Sequence, residues 1–96
     1  MKAKLRYYEK ARIKNRYIVE LSIYEVGELI RYPDKIKYAL ICKDLISGEY
    51  VLFDNHHPKG PHMHINDTEF PYHFIDEDKL IKDFRKTVQK VLEVRL

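Results

Sequence analysis

Apolar side chains recur at every second position through the first quarter of the chain. Around AKLRYYEKARI, Ala3, Leu5 and Tyr7 fall on one face and Lys2, Lys4, Arg6 and Tyr8 on the other, the alternation of a half-buried strand. RYIVELSIYEV continues it, with Tyr17, Val19, Leu21 and Ile23 set against Glu20, Ser22 and Tyr24. Between the two runs lies Asn15, a residue that tolerates the positive φ of tight turns, so the runs are expected to pair as an antiparallel hairpin. GELIRYPDK breaks the pattern. In IKYALICKD both faces are apolar, with Ile36, Tyr38, Leu40 and Cys42 on one and Ala39 and Ile41 on the other, as expected of a central strand. Ser47 and Gly48 then turn the chain into a fourth strand, EYVLFDN. HMHI reads as a short fifth strand on the edge, because Pro58 and Pro61 precede it and could not sit in a sheet interior, and Pro71 ends the region.

The period changes in the last stretch. Leu80, Ile81, Phe84, Val88, Val91 and Leu92 share one stripe at three- and four-residue spacing, which predicts an amphipathic helix. Asp76 stands at its N-cap, Glu77 and Asp78 occupy the turn where the helix dipole favours negative charge, and Ile75 with Leu80 has the spacing of a hydrophobic staple. About 19 residues of helix span about 28 Å, enough to cover one face of a sheet and not both. The expected fold is therefore α+β: a curved antiparallel sheet of four to six strands packed against one C-terminal helix, in a single domain over residues 1–96. The uncovered face carries Lys4, Arg6, Tyr8, Tyr24, Lys37, Ile41, Lys43 and Leu52, basic with aromatic and aliphatic islands. It reads either as a solvated face or as an interface, and pairing through it gives the expectation of a homodimer.

Composition narrows the class. Apolar residues form 45% of the chain and aromatics 12%, too hydrophobic for a disordered segment despite 34% charged residues. The single Cys42 cannot close an internal disulfide, which points to a reducing cytoplasm. No run approaches the roughly 20 apolar residues of a membrane helix, and MKAKLRYYEK lacks the apolar region of a signal peptide; the expectation is a soluble, cytoplasmic protein without a membrane partner. A net charge of +3 is compatible with RNA or an acidic protein and requires neither.

The concentrated chemistry lies in FDNHHPKGPHMHIND, which holds His56, His57, His62 and His64; His73 follows. In an extended strand His62 and His64 project from one face with α-carbons about 6.6 Å apart. One reading is acid–base: one imidazole removes a proton from a ribose hydroxyl and the other protonates the leaving oxygen, while Lys59 stabilises the phosphorane, Asp54 orients an imidazole and Gly60 lets phosphate approach the backbone. A metal reading would use both histidines, with Asp54, His56 or His57 completing the set; no cysteine or third histidine stands at a diagnostic spacing, so no metal or cofactor is assigned. The plain structural reading makes Pro58, Gly60 and Pro61 a rigid turn and the histidines backbone partners. Four histidines, a lysine and Asp54 within eleven positions favour a functional surface. Cys42 reads as a buried inert thiol, and Tyr38 and Tyr72 as core aromatics with satisfied hydroxyls.

Asp54-Asn55, Lys59-Gly60, His62-x-His64-Ile65, Pro71-Tyr72 and the helix LIKDFRKTV, with IVELSIYEV and KYALI upstream, resemble the TumE family of toxin–antitoxin toxins over almost the whole chain. The family pattern falls on Glu20, Tyr38, Asp54, Asn55, Lys59, Gly60, His62, His64, Pro71 and Tyr72. His56, His57 and Pro58 depart from the small residues expected there. The resemblance implies a small toxin of a type II module, neutralised by direct binding of a helix-turn-helix antitoxin on the open sheet face or the histidine loop. RNA cleavage is the commonest mechanism among such toxins. The resulting expectation is a metal-independent endoribonuclease with His62 and His64 as its acid–base pair. Its rivals are a non-enzymatic toxin, or RNA- or protein-binding module, and a histidine-ligated metalloprotein.

Overall fold

The computed structural model describes residues 3–27 and 30–96; Lys2 and the Glu28-Leu29 pair of the pattern-breaking segment lie outside it. Six strands, β1 (Lys4–Ile13), β2 (Tyr17–Glu25), β3 (Ile36–Asp44), β4 (Tyr50–Asp54), β5 (His62–Ile65) and β6 (Thr68–Pro71), precede one helix, α1 (Glu77–Leu92). The strands lie in chain order in one open antiparallel sheet, an α+β fold. Among the described residues no helix is long and apolar enough to cross a membrane.

The β1–β2 turn forms as Asn15 suggested: Lys14 and Asn15 both take positive φ, 53° and 54°, and Arg16 N–H closes onto Ile13 O at 3.0 Å. Two departures from simple alternation follow from backbone irregularities. A register shift between Leu5 and Tyr7 places Leu5, not Arg6, opposite Tyr24. Arg6 accordingly leaves the open face and donates to Glu77 at the helix start (2.7 Å) and to Glu25 (3.1 Å). The second departure is at the far edge. HMHI is an interior strand, because Thr68–Pro71 pairs beyond it, and Pro71 ends an edge strand, where a missing N–H costs least.

The helix covers the face built from Val19, Leu21, Ile23, Tyr38, Leu40, Cys42, Val51 and Phe53, into which Leu80, Phe84, Val88 and Leu92 are turned. Phe84 meets Phe53 edge-on at 5.5 Å, a favoured aromatic geometry. Asp76 caps the helix by accepting from Lys79 N–H at 2.8 Å. Ile75, in contrast, stays 56% exposed while Leu80 is wholly buried, so the expected staple does not bury Ile75. The helix is 16 residues long, shorter than the sequence suggested, because Glu93 adopts a left-handed conformation (φ 57°) with its N–H on Gln89 O. That reversal sends Val94 back into the core.

Candidate active site

Site formation begins with Asn55, which is buried between the end of β4 and β3. Its Oδ1 accepts from Tyr38 N–H at 2.9 Å and its Nδ2 donates to Ile36 O at 2.7 Å, so an amide side chain continues the ladder where β4 has ended. Asp54 accepts from His56 N–H through Oδ1, bending the chain into the loop. At the far end of that loop Gly60 has φ 72°, a region where a β-carbon costs about 1–2 kcal/mol. This conformation directs the Gly60 carbonyl to His62 Nδ1 at 2.7 Å. A carbonyl only accepts, so Nδ1 carries the proton, and in the neutral ring Nε2 keeps its lone pair.

A second hairpin completes the arrangement. Asn66, at φ 56°, begins the two-residue Asn66-Asp67 turn, and its main-chain N–H and side-chain Oδ1 bind Tyr50 O and N–H, each at 2.9 Å. With Ile65 paired to Thr68, the register sets His64 opposite Glu69 and His62 opposite Pro71; on the other side His62 faces Asp54 and His64 faces Leu52. His62, His64, Glu69, Asp54 and Leu52 lie on the face that α1 leaves uncovered, where His62 is nonetheless buried. The His62 and His64 rings lie 5.0 Å apart, edge to face. His64 Nε2 is 3.5 Å from Glu69 Oε1, and the Lys59 ammonium donates to the same oxygen at 2.6 Å. Lys59 holds the Glu69 carboxyl below its ordinary range, against the opposing effect of burial.

His62, His64 and Lys59 thus come together around Glu69. Asp54 shares their face and sits across from His62, but its carboxylate binds a loop N–H, and the Gly60 carbonyl is the acceptor on His62 Nδ1. His56, His57 and His73 are exposed; His56 borders a separate groove of about 530 Å³ with Tyr24, Lys37 and Asp54. The third residue whose donor atom converges with those of His62 and His64, within 4.8 Å, is Glu69, in place of the Asp54, His56 or His57 expected in a metal reading. Sequence reasoning missed Glu69 because it missed β6. The available signal was Asn66-Asp67, a two-residue turn pair that fixes Glu69 across from His64.

The other single residues separate clearly. Cys42 is fully buried and burial pushes its thiol up to about 11, as expected of an inert core cysteine. Tyr72 donates to Asp83 at 2.8 Å. Tyr38 overturns the expectation of a satisfied hydroxyl: its Oη is buried with no partner among the described residues, and desolvation raises its phenol well above the ordinary range. Its ring stacks on Phe74 at 5.7 Å, so packing holds it in place. The open face carries Tyr8, Tyr24, Lys37, Ile41, Lys43 and Leu52 as the alternation predicted.

A family model described as Toxin TumE matches residues 1–92. No curated protein and no solved structure gives a match.

Proposed function

This chain belongs to the TumE toxin family, and from that premise we propose that it is the toxin of a type II module and acts as a metal-independent endoribonuclease. One observation carries the catalytic reading: His62 Nδ1 is committed to Gly60 O, which leaves Nε2 as a base beside His64 on an open sheet face. His62 Nε2 takes the proton of a ribose 2′-hydroxyl, whose oxygen attacks the adjacent phosphorus. Protonated His64 delivers its Nε2 proton to the departing 5′ oxygen, leaving a cyclic phosphate. Lys59 moves from Glu69 to a non-bridging oxygen as negative charge develops. The exposed Tyr8 and half-buried Tyr24 rings, with Lys37 and Lys43 on the same face, suit stacking and phosphate contacts with a single strand.

A cognate helix-turn-helix antitoxin would neutralise the toxin by covering this face, and the same face serves for a homodimer in the cytoplasm. The deciding experiment incubates the full chain with single-stranded RNA in EDTA, alongside His62→Gln, His64→Gln and the double variant, each checked by circular dichroism. Each single variant is expected to lose about 10²–10⁴-fold in cleavage rate. A folded double variant that still cleaves ends the acid–base reading. If neither the native chain nor the double variant cleaves RNA and both remain toxic, the non-enzymatic reading replaces it.

A further inference from the structure

We propose that His62, His64 and Glu69 form a binding site for a borderline divalent transition ion of the zinc kind, and that an ion seated there silences the acid–base pair. The silencing half rests on the catalytic reading above; the binding half does not. Its first support is convergence: one donor atom from each residue lies within 4.8 Å of the other two. A tetrahedral ion with bonds of about 2.1 Å sets its ligands roughly 3.4 Å apart, so modest side-chain rotations close the set. Strand geometry pre-positions it, with His62 and His64 two apart on β5 and Glu69 across from His64 on β6.

The second support is the contact behind His62. An imidazole that binds a metal usually donates its other ring N–H to a carbonyl or carboxylate, which fixes its tautomer and aim. Gly60 O does this at 2.7 Å, and the sharp turn at Gly60 (φ 72°) supplies it. Two imidazole nitrogens and one carboxylate suit zinc and its neighbours, whereas magnesium and calcium prefer oxygen donors. Three protein ligands also leave a position for water.

Lys59 is the competitor. Its ammonium holds Glu69 Oε1 at 2.6 Å, yet its side chain is 59% exposed, so it can withdraw into solvent when a dication arrives. Glu69 therefore serves either Lys59 or the ion. When the ion binds, the His62 Nε2 lone pair that would take the hydroxyl proton is donated to the metal, and proton removal stops.

The test uses full chain purified without a nickel column, stripped with chelator and titrated with Zn²⁺ against a chromophoric chelator. One ion per chain is expected. Glu69→Gln and His64→Gln, both folded by circular dichroism, should each weaken binding by at least about tenfold, taking the lower end of the effect typical of even outer-sphere changes. Lys59→Met should tighten it several-fold, the His56→Gln/His57→Gln double variant should leave it unchanged, and millimolar Mg²⁺ should not compete. Absence of binding, native affinity in Glu69→Gln or His64→Gln, or loss of binding in the His56/His57 variant overturns the site. RNA cleavage by the apo and zinc-loaded chain separates the two halves. Cleavage lost with zinc and restored by EDTA supports silencing, and equal cleavage in both overturns it. Zinc bound by a chain that cleaves no RNA in either state upholds the site and overturns catalysis together with silencing.

Discussion

Replacing Asn55 with alanine removes the two hydrogen bonds that tie the end of β4 to the start of β3. Asn55 is only 6% exposed, and its amide pairs with Tyr38 N–H at 2.9 Å and Ile36 O at 2.7 Å. Water reaches such a position poorly, so truncation leaves one buried donor and one buried acceptor unpaired. Each orphaned group costs about 1–3 kcal/mol, and partial rehydration places the sum at about 2–4 kcal/mol. A chain of this size has a total stability of roughly 5–15 kcal/mol. In a domain this small each kcal/mol lowers Tm by about 4–8 °C, so a fall of at least about 8 °C is expected.

Urea unfolding followed by circular dichroism measures the loss, and native-state hydrogen exchange localises it: Tyr38 N–H should lose protection before the centre of β3. Asn55→Asp provides a second check, since it keeps an acceptor for Tyr38 but sets a carboxylate against the Ile36 carbonyl; it should be at least as damaging as alanine near neutral pH. A loss below about 1 kcal/mol in the alanine variant, with Tyr38 exchange unchanged, would refute the idea that the amide continues the ladder.

Three further outcomes follow from the same structure. Gly60→Ala meets no atom within 4 Å of the new β-carbon, so its cost is conformational, about 1–2 kcal/mol in urea unfolding; RNA cleavage should fall by more than that loss explains, because the carbonyl on His62 shifts. The Arg16 guanidinium, helped by the N–H groups of Ile46 and Ser47, holds the Asp44 carboxyl well below its ordinary value of 3.8. A depressed carboxyl stabilises the fold fully above that value and progressively less as pH falls below it, so Tm should fall between pH 5 and pH 2 in the native chain and less steeply in Arg16→Gln and Asp44→Asn. Cys42, its thiol pushed up to about 11 by burial, should resist a thiol reagent at pH 8 in the folded chain and react at once in urea; rapid reaction in the folded state would contradict its burial.

The hydrophobic pattern revealed most of the fold because burial and period coincide there. Val19, Leu21 and Ile23, or Leu80, Phe84 and Val88, are wholly or almost wholly buried at strand and helix spacing, and each leaves a mark in the sequence. What escaped lacks that mark. All four residues of β6 are exposed, so no alternation announces the strand, and Glu69 disappeared with it. The register shift at Leu5–Tyr7 changes which faces Lys4, Leu5 and Arg6 occupy without changing composition, so Arg6 read as an open-face residue when it bridges to the helix. The acceptor on His62 is a main-chain oxygen, which has no residue type of its own; only the glycine that permits its direction was visible.

These omissions explain why the site is more separable from the core than its position within a sheet suggests. Its three supports lie near the ends of β4 and β5, the Asn55 amide and the Asn66 turn binding main-chain groups and the Gly60 carbonyl binding the His62 ring, while the main apolar cluster lies on the other face under α1. On the catalytic and metal-binding roles proposed above, a change at Gly60, Lys59 or Glu69 should therefore alter what the imidazoles bind without opening the core. A change at Asn55 reaches both, since the same amide continues the β3 ladder and fixes where the histidine loop begins. The Lys-Gly-x-His-x-His run is thus one device: glycine turns the chain, its carbonyl sets His62, the strand repeats the orientation at His64, and the lysine returns to the carboxylate facing it.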